Sequence, residues 1–273
     1  MLGGEVISTN NVYLETNRRL WDGWAKLHAK SDFYELERFK TGKTTLKSVE
    51  LEELGDVAGR SLLHLQCHFG MDTLSWARRG AQVTGVDFSQ QAISLARSLS
   101  EELNVSAEFI CSDIFELPEV LDRQFDTVFT SYGVLEWLPD LQRWAQLVAR
   151  YLKPGGTFYM VEFHPFVGML DDDVGQLIEY DYFFSPDPIR SEEQGSYADP
   201  EADFSHTSYV WPHSLGETVT ALISAGLRLE FLHEFPYSVY SCWPFLEESA
   251  PGKYEIIDSK HAMPLMFSIR ATR

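Results

Sequence analysis

The chain has 273 residues, of which 44% are hydrophobic and 14% aromatic, enough for a substantial core in one large domain or two small ones. Its 41 acidic and 22 basic residues give a formal net charge of −19. A surface with this charge repels nucleic-acid phosphates and anionic lipids, so we expect neither nucleic acid nor a membrane as a partner.

The cysteines Cys67, Cys111 and Cys242 lie far apart and form no CxxC pair, which indicates neither a disulfide framework nor a zinc site. The acidic run Asp171-Asp172-Asp173 has no accompanying His or Glu at metal-ligand spacing, so we expect a solvated loop and no metal. The N-terminal segment shows no signal peptide, and no apolar run is long enough to span a membrane. These features predict a cytoplasmic protein.

Residues 1–45 are predicted to form a helical arm. Trp21, Trp24, Leu27 and His28 share one face of a helix. Two interpretations stay open for this arm: a helix that packs on the domain, or a lid whose Trp and Tyr side chains, Trp24 among them, close over a ligand.

Strand and helix patterns alternate from residue 61 onwards, which predicts a parallel sheet covered by helices on both faces. The predicted strands are residues 61–65, 82–86, 107–111, 125–130, 157–163, 227–235 and 264–271. The alternation stops over about residues 167–213, where aromatic residues are frequent. A linker would be poor in aromatic residues, so this stretch is predicted to be an insertion that covers the substrate.

Residues 61–89 read as a buried strand, a turn at Gly70, a helix and a second buried strand that ends on Asp87. Either Asp72 or Thr73 is predicted to cap the helix. A carboxylate at the tip of the second strand can accept both hydroxyl protons of a ribose, which is typical of nucleotide-binding units.

Further motifs follow this unit in order. They are Ser112-Asp113-Ile114 after the third strand, Phe125-Asp126-Thr127-Val128 at the start of the fourth, Leu135-Glu136-Trp137-Leu138-Pro139-Asp140 after it, and Leu152-Lys153-Pro154-Gly155-Gly156 before the fifth. With Asp87, this series resembles the class I S-adenosylmethionine-dependent methyltransferases, of the small-molecule type and with an atypical first motif. The resemblance covers residues 61–163 by motif and extends to the C-terminus by architecture.

The resemblance implies a Rossmann-like three-layer α/β sandwich with a seven-stranded, mostly parallel sheet and an antiparallel last strand, in a methyltransferase domain over residues 46–273. It also implies S-adenosylmethionine as the cofactor and a set of cofactor-binding residues. That set is Leu65, Gln66, Cys67, His68, Gly70, Asp72, Asp87, Phe88, Ser112, Asp113, Ile114, Thr130 and Ser131.

The glycine-rich loop departs from the family pattern of an acid followed by Gly-x-Gly-x-Gly. His64, Gln66 and His68 stand at the first three of these positions, and only Gly70 is kept. Glycines permit positive φ there, so Gln66 and His68 must either form a less demanding turn or hold the methionine part of the cofactor differently. We hypothesise that Asp72 replaces the missing acid, with a plain helix cap as the alternative.

For catalysis the resemblance points to side chains beyond the fourth and fifth strands. His164 is the first choice as general base, with Glu136 and Tyr132 beside it, and Glu162, His206 and His213 as further candidates. Trp24, Trp137, His206 and Trp211 are predicted to contact the substrate or form a lid.

The expected function is methyl transfer from S-adenosylmethionine to an N, O, S or C nucleophile of a small molecule, with a homodimer as the candidate assembly. Two alternatives stay open. The first is a non-catalytic subunit of the same fold, since the glycine loop is altered; the second is a nicotinamide-dependent oxidoreductase, although the expected Gly-x-Gly-x-x-Gly is missing.

Overall fold

The computed structural model describes residues 9–171, 174–257 and 261–273. The helices are α1 (Thr9–His28), α2 (Leu36–Lys40), α3 (Ser48–Leu54), α4 (Met71–Arg78), α5 (Gln90–Glu102), α6 (Leu141–Tyr151) and α7 (Leu215–Ser224). The strands are β1 (Ser61–Leu65), β2 (Gln82–Asp87), β3 (Glu108–Cys111), β4 (Phe125–Ser131), β5 (Leu152–Phe163), β6 (Ile189–Gln194), β7 (Ser205–Val210), β8 (Arg228–Phe235), β9 (Leu246–Ala250), β10 (Lys253–Ile256) and β11 (Met266–Thr272).

Within the described part of the chain, seven strands form one sheet in the order β3-β2-β1-β4-β5-β11-β8. The pairs among β1 to β5 are parallel, whereas β11 is antiparallel to both β5 and β8. The predicted fold class, with its antiparallel last strand, is confirmed.

Helices cover both faces of the sheet because the central strands are apolar on both sides. Val128 and Phe129 are consecutive residues of β4, so their side chains point to opposite faces. Val128 belongs to a core cluster with Trp144 of α6, and Phe129 packs against Trp76 of α4 with ring centroids 5.6 Å apart. The result is the three-layer sandwich that the sequence predicted.

The turn between β1 and α4 differs from the prediction in its helix cap. The residue before α4 is Gly70, with φ of 79°, and it makes no side-chain cap. Asp72 and Thr73 both lie inside the helix, and their side chains bond elsewhere, to Thr45 and to His64. The prediction that either residue caps the helix is therefore wrong.

The insertion contains a β-hairpin that the sequence did not predict. Its strands, β6 and β7, pair antiparallel from Ile189 opposite Val210 to Gln194 opposite Ser205. Both strands are largely exposed on one face, so their sequence lacks the apolar run of a core strand. A second hairpin, β9 with β10, lies in the loop before the last strand.

Helix α1 is joined to this hairpin by specific contacts. The buried Asn17 side chain donates to the Tyr209 carbonyl at 2.6 Å and accepts from the Tyr209 amide at 2.9 Å. Gly23 faces the Phe204 ring so closely that a Cβ would lie 2.2 Å from it. We call α1 and the β6–β7 hairpin together the cover; residues 1–8 of the predicted arm lie outside the described residues.

Asp171, the described member of the acidic run, organises the loop that follows it. Its carboxylate accepts from the amides of Val174, Gly175, Gln176 and Leu177, and these bonds lower its pKa to about 2. Asp172 and Asp173 lie outside the described residues. In the rest of the chain, no group of three His, Cys, Asp or Glu side chains is placed to hold a metal ion, and no helix is long and apolar enough to cross a membrane.

Replacement of Gly70 with alanine tests how tightly the turn after β1 is packed. A Cβ there would lie 2.6 Å from the Phe109 ring, in addition to the strain of the positive φ. We expect Gly70→Ala to lower the free energy of unfolding by about 3 kcal/mol in chemical denaturation. Gly59→Ala is the matched control, because Gly59 has φ of 75° with nothing within 4 Å; we expect about 1 kcal/mol. Equal losses at both positions would contradict the packing argument.

Candidate functional site

One cavity of about 590 Å³ lies at the carboxyl ends of β1, β2 and β4, beneath the cover. Its volume is in the range of small-molecule and cofactor sites. We divide it into a cofactor half, lined by the loop after β1 and by the ends of β2 to β4, and an aromatic half beneath the cover. The aromatic half is lined by Trp24, Phe33, Tyr34, Glu136, Trp137, Phe163, Tyr180, Glu193, Tyr197, His206 and Tyr240 among others.

The loop after β1 keeps a glycine-like backbone although two glycines are missing. Gln66 has φ of 55° and His68 has φ of 50°, both in the left-handed region. This conformation costs a non-glycine residue about 1 kcal/mol, so contacts must compensate for it. The Gln66 side-chain amide donates to the Val134 carbonyl at 2.9 Å, and the His68 amide donates to the Asp87 carboxylate at 2.8 Å. The less demanding turn, one of the two options that the sequence left open, is therefore wrong, because both residues adopt the left-handed backbone that glycines would have.

Two carboxylates end the second and third strands on the wall of the cofactor half. Asp87 accepts from the amides of His68 and Ser89, and burial raises its pKa to about 6. Asp113 accepts from the Phe115 amide at 2.7 Å, and burial raises its pKa also. Both carboxylates are anchored by backbone amides, Asp87 through both oxygens and Asp113 through one, and both residues line the same cavity.

A third carboxylate enters the cavity from the first turn of α4. One oxygen of Asp72 accepts from the Thr45 hydroxyl, and the other lies 3.3 Å from the Ser131 hydroxyl. The neighbouring His64 is buried and its Nδ1 lies 2.8 Å from the Thr73 hydroxyl. Burial lowers the pKa of His64 to about 4, so it is uncharged at neutral pH. Asp72 thus stands close to the position where the family has an acid.

Tyr132 lies on the wall between the two halves and holds its proton. Burial, with the nearby Glu50 carboxyl, raises the pKa of Tyr132 well above its ordinary value. Burial and the Asp72 charge raise the pKa of Glu50 to about 8, so this group is mostly protonated at neutral pH. Tyr132 can therefore donate a hydrogen bond, but it cannot accept a proton.

The cover reaches the loop after β1 through a pair of histidines. His28 Nδ1 of α1 lies 2.9 Å from His68 Nε2, and the Trp21 ring centroid is 5.2 Å from that of His68. Burial lowers the pKa of both imidazoles, to about 3 for His28. Two neutral rings share one hydrogen bond here, so α1 is tied directly to the turn.

Most of the predicted cofactor-binding residues line this cavity. Those that do are Gln66, Cys67, His68, Gly70, Asp72, Asp87, Phe88, Asp113, Ile114 and Ser131. Leu65, Ser112 and Thr130 do not line it in the described structure, because Leu65 packs in the core, Ser112 turns its hydroxyl to the Asp113 carbonyl, and Thr130 bonds to the Leu65 carbonyl.

His164 does not lie in the cavity, which corrects its choice as general base. Its Nε2 lies 3.0 Å from the Glu234 carboxylate, and its Nδ1 accepts from the Phe166 amide at 3.1 Å. His213 is also turned away, with Nε2 2.7 Å from the Leu138 carbonyl. Both histidines have a structural role, because their ring nitrogens already contact hydrogen-bonding groups of the protein.

Glu162 is a positioning residue for the loop after β4. Its buried carboxylate accepts from the amides of Gly133, Val134, Leu135 and Phe163. Because four amides already donate to the Glu162 carboxylate, it has little capacity to accept a substrate proton, although burial raises the pKa of Glu162. Glu136, in the next turn, does line the cavity.

Of the residues predicted to contact the substrate, Trp24, Trp137 and His206 line the cavity. Trp211 is fully buried beside Tyr13, and its amide donates to the Glu136 carbonyl. Trp211 therefore supports the wall instead of forming its surface. Tyr34 of the predicted arm and Tyr197 of the predicted insertion also line the cavity. The sequence missed Tyr240, because only the folded loop before the last strand brings it there.

Comparison with known proteins agrees with this geometry. A family model described as a methyltransferase domain matches residues 63–160. The ubiquinone biosynthesis O-methyltransferase of Alkalilimnicola ehrlichii is 37% identical over 103 residues, which are 38% of this chain and 41% of that protein. The protein of the same name from Vibrio cholerae is 30% identical over 190 residues, 69% of this chain and 70% of that protein. The chain thus spans less than half of the first relative but over two thirds of the second.

Solved structures share the fold. An S-adenosylmethionine-dependent methyltransferase from Mesorhizobium loti has a TM-score of 0.54 and 19% identity, over 82% of this chain and 96% of that one. One from Clostridium acetobutylicum has a TM-score of 0.55 and 13% identity, over 94% and 98%. Because the motif order, the sheet topology and the Vibrio cholerae relative agree, this chain belongs to the class I S-adenosylmethionine-dependent methyltransferases.

Proposed function

We propose that this chain transfers the methyl group of S-adenosylmethionine to a small molecule bound in the aromatic half of the cavity. The observation that carries this proposal is the continuity of the cavity, which joins three anchored carboxylates to an aromatic chamber of small-molecule size. Among the relatives, the curated names specify an O-methyltransferase of ubiquinone biosynthesis.

The residues of the cofactor half fit the chemistry of S-adenosylmethionine. Asp87 is suited to accept the ribose hydroxyls, Asp113 the adenine amino group, and Asp72 the ammonium group. Within the described residues, the buried Gln66 Oε1 and His68 Nδ1 have no hydrogen-bond partner. Such atoms on a ligand-facing loop are explained if a bound molecule supplies the partners.

When bound, S-adenosylmethionine supplies a methyl group activated by a cationic sulfur. The chain then has to orient the acceptor and exclude water. The cover does the second of these, because the Trp24 indole donates to the Gly195 carbonyl at 3.0 Å and so holds α1 against the hairpin above the cavity. Glu162 holds the loop that carries Glu136 and Trp137 along the wall.

The division into residues 1–45 as a lid and residues 46–273 as the methyltransferase domain is part of this proposal. Contacts of Asn17 and Gly23 with the hairpin support a cover built from both segments. A cytoplasmic location, the homodimer and the absence of nucleic-acid partners stay predictions from the sequence.

Asp72→Asn tests whether this carboxylate binds the ammonium group. The change keeps the side-chain shape and removes the charge, so we expect the Kd for S-adenosylhomocysteine in calorimetry to rise about tenfold. Thr45→Val is the control, because it removes a hydroxyl that donates to Asp72 and leaves the charge in place; we expect a change below about threefold. An unchanged Kd in a folded Asp72→Asn protein would contradict the role.

Cofactor affinity is expected to fall in acid because of Asp87. Hydroxyl donors bind the ionised carboxylate, whose pKa burial raises to about 6 in the free protein. Protonation below that pKa removes the acceptor, so the Kd for S-adenosylhomocysteine should rise about tenfold between about pH 7 and about pH 5. In Asp87→Asn the affinity should be weak at both values and nearly independent of pH. A flat profile for the unaltered protein would show that Asp87 does not bind the ligand as an anion.

Transfer itself is tested with methyl-labelled S-adenosylmethionine and a dialysable metabolite extract. If the chain is an enzyme, the unaltered protein should form a labelled small-molecule product. With Asp87→Ala the amount of this product should fall at least about tenfold. Tight cofactor binding with no transfer to any fraction would instead identify a non-catalytic family member.

A further inference from the structure

The two histidines that join the cover to the loop after β1 each keep one ring nitrogen without a partner. His28 Nδ1 and His68 Nε2 lie 2.9 Å apart and share one hydrogen bond. Within the described residues, the two outer nitrogens, His28 Nε2 and His68 Nδ1, are buried and have no hydrogen-bond partner. A buried polar atom without a partner is costly, so both outer nitrogens need an explanation.

The proton in the shared hydrogen bond fixes the polarity of the whole pair. A neutral imidazole has one N–H donor and one lone-pair acceptor. Burial lowers the pKa of both rings, so each ring is neutral and carries a single proton at neutral pH. If His28 donates to His68, the proton of His68 is on Nδ1, which is then a donor. If His68 donates instead, its Nδ1 is an acceptor and the proton of His28 is on Nε2.

The surroundings of His28 favour donation from His28 to His68. His28 is fully buried and does not line the cavity. It is surrounded by the rings of Trp24, Tyr34 and Tyr197, at centroid distances of 5.7, 5.1 and 4.7 Å. A ligand in the cavity therefore gives no partner to His28 Nε2. Buried N–H groups without a partner are rarer in proteins than acceptors without one, so we assign the lone pair to Nε2 and the proton to Nδ1.

The charge next to His68 favours the same arrangement. The Asp87 carboxylate accepts from the His68 amide at 2.8 Å. Nδ1 of an imidazole is closer to the backbone of its own residue than Nε2 is, and His68 Nε2 contacts α1. A proton on His68 Nδ1 is therefore closer to the Asp87 charge and is stabilised by it. His68, which lines the cavity, then carries an N–H donor that the protein leaves unused.

A ribose hydroxyl is the group of the cofactor that matches this donor. A hydroxyl has one proton and two lone pairs, so it can donate to a carboxylate and accept from an N–H at the same time. Asp87 is suited to accept a ribose proton, and its carboxylate is bonded to the backbone of His68. One hydroxyl can thus be bound by the carboxylate of Asp87 and by the imidazole of His68.

We infer that His68 is a cofactor-binding residue whose Nδ1–H donates to a ribose hydroxyl of S-adenosylmethionine, and that His28 positions this proton by donating to His68 Nε2. This inference rests on the proposed function, since it adds two residues to the cofactor site of that reaction. A glycine at position 68 would keep the backbone hydrogen bond to Asp87 but would have no side chain to donate. The histidine at this position therefore adds a contact to the cofactor and connects it to the cover.

The protonation sites of the free protein test the arrangement directly. In protein labelled with ¹⁵N-histidine, the protonated and unprotonated ring nitrogens have well-separated chemical shifts, and the spectra of His28→Asn and His68→Asn assign the signals. We expect both rings to carry their proton on Nδ1. In His28→Leu, part of the His68 population should move to the Nε2–H form, because no donor faces that nitrogen. A proton on His68 Nε2 in the unaltered protein would overturn the inference.

His68→Gly tests the contact to the cofactor, because it removes the donor and leaves a residue that adopts the left-handed backbone without strain. We expect the Kd for S-adenosylhomocysteine in calorimetry to rise about fivefold. His68→Asn is the matched control. Asparagine tolerates the left-handed backbone, and its side-chain amide places an N–H close to the position of Nδ1, so the Kd should change less than about twofold. An unchanged Kd in His68→Gly would contradict the role of His68.

Methylthioadenosine shows which part of the cofactor accepts the hydrogen bond, because it keeps the ribose and lacks the amino-acid part. We expect His68→Gly to weaken its binding by the same factor of about five. A loss for S-adenosylhomocysteine with no loss for methylthioadenosine would overturn the assignment to the ribose.

A double variant tests whether His28 acts through His68. His28→Leu should raise the Kd for S-adenosylhomocysteine about threefold, whereas His28→Asn, which keeps a donor near Nδ1, should change it less than about twofold. The variant with both His28→Leu and His68→Gly should bind no more weakly than His68→Gly alone. Additive losses would show that His28 does not act through His68. If the unaltered protein did not bind S-adenosylhomocysteine, the proposed function would fail, whereas the protonation sites report on the histidine pair independently.

Discussion

The hydrogen bond from the His68 amide to the Asp87 carboxylate is the constraint on which the site depends. It closes the turn after β1 onto the tip of β2, at 2.8 Å, and it requires His68 to hold a positive φ without a glycine. The fold makes this possible because Gly70 passes under the Phe109 ring and Gln66 is held by the Val134 carbonyl. Gln66, His68 and Gly70 are thereby held in one backbone conformation, and this conformation shapes the floor of the cavity that they line.

The cover depends on the same turn. His28 of α1 bonds to the His68 ring, so the helix over the cavity and the loop beneath it share a contact. Asp22 of the same helix accepts from the Ser89 hydroxyl and the Gln91 amide at the start of α5, which joins α1 to α5. Asn17 then joins α1 to the hairpin. An arm attached at these positions lines the cavity and lies against the altered glycine loop.

Charge is distributed along the cavity in a way that suits its chemistry. Asp72, Asp87 and Asp113 line the cofactor half, and Glu136 and Glu193 line the aromatic half. The three carboxylates of the cofactor half are suited to stabilise a cationic methyl donor. The excess of 41 acidic over 22 basic residues in the whole chain is thus continued in the cavity, whose lining also includes Lys43 and Lys47.

The sequence by itself determined the sheet and its strands, because apolar periodicity is a local property of the chain. The resemblance of its motifs to those of the methyltransferases indicated the three carboxylates. It also identified most residues of the turn, including Gln66, His68 and Gly70. Only the tertiary structure decided that His164 faces Glu234 instead of the cavity, and that Glu162 anchors a loop. It also assembled Tyr34, Tyr197 and Tyr240, which come from three distant segments. The direction in which a side chain points after a strand, and the meeting of remote loops, depend on packing that no local pattern encodes.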